Sequence, residues 1–178
     1  NLDGITLLDK DQTCRRANGT SWSCGEAAHA ALAKLARGQR NLSCTLTGEV
    51  DGVSVGTCLA AGRDLGAELI RSGHAFASGT LWKTYASEEA EAQTAAAGLW
   101  AGAPERPGEW RARLWEEASA NSPGGCPIKA RINGSRKTYS LPGDRDYART
   151  VLRESRGDRW FCSEEEASTS GFTPRRRD

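Results

Sequence analysis

The chain has 178 residues, with 24 Lys and Arg against 23 Asp and Glu, 38% hydrophobic residues and a formal charge of +1. That length holds one or two small domains with a sizeable core. The near-neutral balance argues against a generic nucleic-acid or membrane-surface binder, and no apolar run reaches the length of a membrane span.

Leu2–Leu8 reads as a short strand and Asp9–Ser23 as a polar loop. Gly25–Arg37 carries Ala27, Ala28, Ala31, Leu32 and Leu35 at helical spacing, with Gly38 as a stop. Asn41–Thr47 and Val53–Leu59 read as strands around a turn at Gly48–Gly52. Asp64 is placed to cap a helix over Leu65–Ser72, and Ser87 one over Glu88–Ala97, each followed by a glycine. Leu99 and Trp100 are expected to pack back onto the body. A helix over Glu109–Ala118 follows the Pro/Gly stretch Pro104–Gly108, and Ser119–Gly125 has the composition of a linker. Beyond it, Ile128–Ile132 and Lys137–Leu141 flank Asn133-Gly134, a hairpin signal. Tyr147–Arg153 is a further helix candidate and Arg159–Cys162 a short strand. Ser163 and Glu166 form a capping box for a last helix ended by Gly171, before the basic tail Pro174–Arg177.

Charge divides along the same line. Residues 1–125 carry 12 basic and 15 acidic side chains, and residues 126–178 carry 12 and 8. This suggests an acidic domain over 1–118, a linker over 119–125 and a basic domain over 126–178. A start at Asn1 with no methionine anywhere reads as a mature or trimmed product without a signal peptide.

Six cysteines, an even number with no C-x-x-C pair, disfavour a zinc ribbon or a thioredoxin-like site. Their positions suggest local pairs: Cys14 with Cys24 across a polar loop, Cys44 with Cys58 across a hairpin, and Cys126 with Cys162 around the basic domain. Three disulfides imply an oxidising compartment, the periplasm or the cell exterior. Six cysteines allow about fifteen pairings, so connectivity stays open at this point.

The first 115 residues resemble the thermonuclease (staphylococcal-nuclease-like) family in its exported bacterial branch. The motifs run in family order: Q-T-C at Gln12–Cys14, W-S-C-G at Trp22–Gly25, L-S-C at Leu42–Cys44 and G-T-C at Gly56–Cys58. Then come Arg63–Ala75, Tyr85–Ala92, G-L-W at Gly98–Trp100 and P-G-E-W-R at Pro107–Arg111. The resemblance implies an OB-type β-barrel with packed helices. The region from Cys126 to Arg175 resembles a small sunset-type α+β domain, through Cys126–Asn133, Tyr139–Gly143 and Arg159–Ala167. It is also similar to Ada-type metal-binding modules. Pro174–Arg177 stands where a zinc-binding version would carry cysteines, so no zinc site is expected.

The nuclease chemistry that the resemblance implies needs carboxylates to hold a metal and activate water, and two arginines to neutralise the growing charge. The equivalent stretch here has Asn1 at the first arginine position, Thr6 at a metal carboxylate and Leu8 at a proline. Asp9 stands where the family has glutamate. Val53 replaces the second arginine after Glu49-Val50-Asp51-Gly52. The strands that would supply the other metal carboxylate and close the barrel have no counterpart ahead of this stretch. No catalytic, cofactor-binding or metal-ligating residue is therefore assigned. A different clustering of Asp3, Asp9, Asp11, Glu49 and Asp51 is the route by which a metal-dependent nuclease would survive.

His29 and His74, the two histidines, read as packed or capping residues. Gly62–Gly66 and Pro142-Gly143 read as turn glycines, since neither fits a phosphate-loop fingerprint. Trp82, Trp100, Trp110, Trp115 and Trp160 raise a stacking surface, with core or inter-domain packing as the simpler reading. Lys129, Arg131, Arg136, Lys137, Arg145, Arg149, Arg153, Arg156 and Arg159 interleave with Tyr139, Tyr147 and Trp160, a pattern suited to an acidic partner, an acidic glycan or nucleic acid. Asn18, Asn41 and Asn133 head glycosylation sequons, to which a bacterial resemblance gives little weight.

The expected protein is a periplasmic or secreted pseudo-nuclease. Its fold is an OB-type barrel, incomplete at its first strands, joined to a disulfide-closed α+β domain. It is expected to act as a non-catalytic binding or scaffold subunit of a larger assembly, needing no cofactor. A protein partner would complete the barrel edge by strand addition. The alternatives are a metal-dependent nuclease and a polyanion-binding module.

Overall fold

The computed structural model describes residues 1–37, 41–78 and 85–175. The chain forms two compact units, Asn1–Pro107 and Gly108–Asp178. In the first lie β1 (Ile5–Leu7), β2 (Cys14–Arg16), β3 (Ser21–Trp22), α1 (Cys24–Ala36), β4 (Leu42–Val50), β5 (Val53–Ala60) and β6 (Arg63–Asp64). These are followed by α2 (Leu65–Arg71), β7 (Ala75–Ala77), α3 (Ala86–Thr94) and β8 (Gly102–Ala103). The second contains α4 (Pro107–Ala120), β9 (Ile128–Asn133), β10 (Arg136–Ser140), β11 (Arg159–Phe161), α5 (Glu164–Thr169) and β12 (Thr173–Pro174).

Among the described residues the strands form four separate sheets, ordered β1-β7, β3-β2-β8, β4-β5-β6 and β11-β9-β10-β12. None closes into a barrel. Helices and sheets mix throughout, so the fold is α+β and rich in disulfides. All three bridges form locally: Cys14–Cys24, Cys44–Cys58 and Cys126–Cys162. No described helix is long and apolar enough to cross a membrane.

In the first unit the polar loop expected over Asp9–Ser23 contains β2 and β3. Cys14 pairs with Trp22 and Arg15 with Ser21 around Asn18-Gly19, and the Asn18 Oδ1 accepts from the Thr20 N–H at 3.1 Å. Local backbone pairing thus overrides a polar composition. The long hairpin turns at Asp51-Gly52, with φ of 51° and 75°, later than the glycine-rich stretch suggested. Gly48 stays in β4, at a register shift after Leu46. Asn1–Asp3 runs beside β5: the Gly56 N–H donates to the Asn1 carbonyl at 3.0 Å and the Asp3 N–H to the Gly56 carbonyl at 2.9 Å. The outer edge of β4 is left as an end of its sheet.

Asp64 caps α2 as expected, its Oδ1 accepting from the Gly66 and Ala67 N–H groups. Ser87 does not cap α3. It lies inside the first turn, Tyr85 holds the cap position, and the Ser87 hydroxyl donates to Glu88. Gly66 is helical rather than a turn glycine, and a Cβ there would stand 2.7 Å from the Tyr85 hydroxyl. The core splits into two clusters. Leu8, Cys14, Cys24, Ala28, Phe76 and Leu99 form one, and Leu69, Ile70, Ala75 and Tyr85 belong to the other. The expected stop at Gly38 and the side chain of Trp82 lie outside the described residues, as do Arg176 and Arg177.

The second unit begins earlier than the Ser119–Gly125 linker suggested. Helix α4 starts with Pro107 at its first turn and belongs to this unit. Gly143 (φ 96°) is pressed so close to α4 that a Cβ would stand 2.9 Å from the Trp110 ring and 3.2 Å from Leu114. The β9–β10 turn centres on Gly134-Ser135, since Asn133 already pairs with Arg136. Ile128, Ala130, Tyr139, Phe161, Ala167 and Phe172 form its core. Ser163 caps α5, accepting from the Glu166 N–H at 3.1 Å, and the Glu166 carboxylate reaches back to the Cys162 N–H at 3.0 Å. The helix expected over Tyr147–Arg153 does not form. Its Tyr147 and Thr150 carbonyls accept instead from the Lys129 ammonium at 3.0 and 2.9 Å.

Candidate functional site

Two concavities carry the chemistry, one in each unit. The first lies between Asn1–Ile5 and the β4–β5 hairpin, with a volume of about 1040 Å³. Among the described residues its charged side chains are Asp3 and Glu49, and no Lys or Arg lines it. Asp3 is 3% exposed and its Oδ2 accepts from the Thr47 hydroxyl at 2.8 Å.

The positions to which the nuclease resemblance assigns catalytic groups are spread through this unit. Asn1 is exposed beside β5. Thr6 is half-buried in β1 opposite Phe76, and Leu8 is buried in the core. Asp9 is half-buried at a turn, its carbonyl accepting from the Gln12 N–H at 2.9 Å. Glu49 and Asp51 are exposed at the hairpin end, with Val53 across from Val50. Among the described residues, no group of three or more His, Cys, Asp or Glu comes together. His29 Nε2 lies 3.1 Å from the Leu8 carbonyl, and His74 Nδ1 lies 2.9 Å from the Ser72 hydroxyl. Burial pushes the His74 imidazole below its ordinary pKa. Tyr85 donates to both Asp64 oxygens, at 2.9 and 3.0 Å. Burial first, then the Asp64 bond and charge, push its phenol far above the usual range. This pair fixes the start of α2.

The second concavity lies on the four-stranded sheet, with a volume of about 780 Å³. Strand alternation builds it. Ile128, Ala130 and Ile132 point to the core, so Lys129, Arg131 and Asn133 take the opposite face. Register places Ser140 beside Lys129, Thr138 beside Arg131, Arg136 beside Asn133, and Thr173 beside Thr138. Arg175 completes the rim, giving four cationic side chains on this face and no lining carboxylate among the described residues, while Lys137, paired with Ile132, turns to the other face with its ammonium 5.7 Å from the Phe172 ring.

The cations differ in what holds them. Arg175 pairs with Asp146 at 3.2 Å, and Asp146 also bonds Arg149. The Arg149 bond comes first among the causes that hold the Asp146 carboxyl below its ordinary pKa. Arg131 Nε is buried without a hydrogen-bond partner, 3.9 Å from Asp158 Oδ2. Asp158 is 3% exposed and accepts from the Ile132 and Arg153 N–H groups at 2.8 and 2.9 Å. Burial works to raise its pKa, but those two bonds with Arg131 and Arg156 outweigh it and hold it low. Arg136 and Lys137 are exposed, with no carboxylate partner among the described residues.

Lys129 is half-buried, its ammonium 4.4 Å from the Tyr147 ring and 5.6 Å from Trp160, and burial lowers its pKa. It also lines a smaller pocket of about 300 Å³ with Tyr147 and Trp160. The other described tryptophans of that set differ in burial: Trp100 packs edge-on against Phe76 at 5.6 Å, Trp110 is buried beside Gly143, and Trp115 is exposed. Of the nine basic residues singled out in the sequence, Lys129, Arg131 and Arg136 meet on this face. Arg175 was missed as part of it, because β12 is a two-residue strand without its own signal. Asp158 was missed because a lone acid before a strand carries no pattern.

No family model matches the chain. It is similar to the succinoglycan biosynthesis protein ExoI of Rhizobium meliloti (strain 1021), 33% identical over 107 residues, covering 58% of this chain and 56% of that protein. The chain thus spans about half the length of the curated relative it matches.

Proposed function

We propose that this chain is a non-catalytic binding protein of the periplasm or the cell exterior, an accessory subunit built on a degenerate nuclease-like unit. The observation that carries this reading is the first concavity. Where phosphodiester hydrolysis requires cations to receive an anion, it offers Asp3 and Glu49 and, among the described residues, no Lys or Arg. Asn1, Thr6 and Val53 stand at positions where the resemblance requires charge. Losing one such group typically costs a hundredfold or more in rate, and the losses here coincide. The three disulfides support an oxidising compartment. The open edge of β4 supports the idea of an incomplete OB-type barrel that a partner's strand completes. A relative named for succinoglycan biosynthesis supports work connected with a glycan rather than with nucleic acid.

Native mass spectrometry of the chain isolated from its own cells tests this. The expected result is an oxidised chain with three disulfides, in a complex of fixed stoichiometry. A free monomer under the same conditions overturns the subunit reading.

A further inference from the structure

We propose that the basic face of the β11-β9-β10-β12 sheet is a binding site for an acidic glycan, with its carboxylates seated on Lys129 and Arg136. The inference rests on the reading of the chain as a binding protein and gives that protein a site and a ligand class.

A ligand that enters the 780 Å³ concavity meets four cations and, among the described residues, no lining carboxylate. It must therefore bring negative charge. Two cations are already committed: Arg175 to Asp146, and Arg131 to the neighbourhood of buried Asp158. Arg136 is exposed and has no such partner among the described residues. Lys129 uses two of its three N–H donors on the Tyr147 and Thr150 carbonyls. The third is available to an anion, and its partly desolvated charge gives that bond more weight than one in open water.

The rest of the lining decides which anion. Ser135, Thr138, Ser140, Thr173 and Asn133 present hydroxyl and amide groups between the cations. Such groups suit the alternating donors and acceptors of sugar hydroxyls. No aromatic ring lines this concavity, so it lacks the stacking platforms on which single-stranded bases sit. Tyr147 and Trp160 lie against the Lys129 ammonium and line the smaller pocket that shares Lys129 with it. The chain's formal charge of +1 also falls short of what tracking a densely charged phosphodiester backbone calls for. A polymer with one carboxylate per sugar fits a few separated cations better.

The test is isothermal titration of the oxidised full chain with polygalacturonate, with dextran, single-stranded DNA and polyphosphate as comparisons. The expected result is binding to polygalacturonate that weakens about tenfold or more between about 50 and about 200 mM salt, and none to dextran. An Arg136→Ser variant is expected to weaken it about fivefold. Its side chain is exposed, so circular dichroism and thermal unfolding should stay as in the parent. An Arg156→Ser variant, outside the concavity, should bind as the parent does. Equal weakening by Arg156→Ser would mean unlocalised charge attraction and would overturn the site. Tighter binding to DNA or polyphosphate than to polygalacturonate would overturn the ligand class. Absence of binding to every polyanion, in a chain still held in a fixed complex, would overturn this inference and leave the subunit reading standing.

Discussion

Each unit is organised around an antiparallel hairpin with a two-residue turn, and each hairpin forms one wall of a concavity. The two have been put to opposite use. The β4–β5 hairpin leaves Leu42, Leu46, Val50, Val53 and Leu59 exposed, Leu46 at 71%, and its concavity holds acids without a Lys or Arg among the described residues. The β9–β10 hairpin covers its apolar face with Phe161, Ala167 and Phe172, and its other face holds cations without acids. A strand pair supplies only alternation; which face is covered decides whether its charges form a site. In the second unit the core takes every second residue, so Lys129 and Arg131 are forced onto one wall. In the first, five of the hairpin's apolar residues stay exposed among the described residues, and Glu49 and Asp51 sit at its tip.

That difference can be broken most strongly through the disulfides. Removing Cys126–Cys162 with serines releases a 36-residue separation, and removing Cys44–Cys58 releases one of 14. Chain entropy gives losses of about 4 and about 3 kcal/mol respectively. Urea unfolding followed by tryptophan fluorescence should show the larger loss in the second unit, which holds Trp110, Trp115 and Trp160. Equal or reversed losses would mean that the basic sheet is held by its core alone.

Asp158→Asn comes next. Its carboxylate ties the Ile132 N–H of β9 to the Arg153 N–H, and charged hydrogen bonds of this kind contribute about 1.5–3 kcal/mol. Its folded pKa lies below the unfolded value, so its contribution is complete above the ordinary carboxylate range. It is lost as pH falls through the lowered folded value. Acid titration of stability should therefore be steeper for the parent than for the Asn variant below about pH 4. Parallel curves would remove Asp158 from the acid response. The smallest effect is expected at Leu46→Thr in the other hairpin. A side chain this exposed should change stability by about 0.5 kcal/mol or less. A loss of about 2 kcal/mol or more would show that the hairpin's apolar face is packed in solution.

Much of this was legible in the sequence. The spacing of the cysteines suggested all three bridges, because each closes a local loop. The Asp64 cap and the Ser163–Glu166 box were read from side-chain chemistry that acts within one turn. The strand read over Ile128–Ile132 forms, and its alternation puts Lys129 and Arg131 on a common face. What could not be read depended on distant partners. The Tyr147–Arg153 helix was expected from local composition, but its carbonyls are taken by a lysine 18 and 21 residues away. Gly66 looked like a turn glycine until Tyr85 was seen lying against it. The second concavity needs Arg175, which a two-residue strand brings in from the far end of the unit.

The claim that matters most is binding without hydrolysis, and a cleavage assay tests it directly. The oxidised chain would be incubated with single- and double-stranded DNA and with RNA, in Ca²⁺, Mg²⁺ or Mn²⁺, and acid-soluble nucleotides measured. Release equal to the buffer blank is expected with every metal. Metal-dependent release that follows the chain through purification and is lost in Asp9→Asn would contradict it.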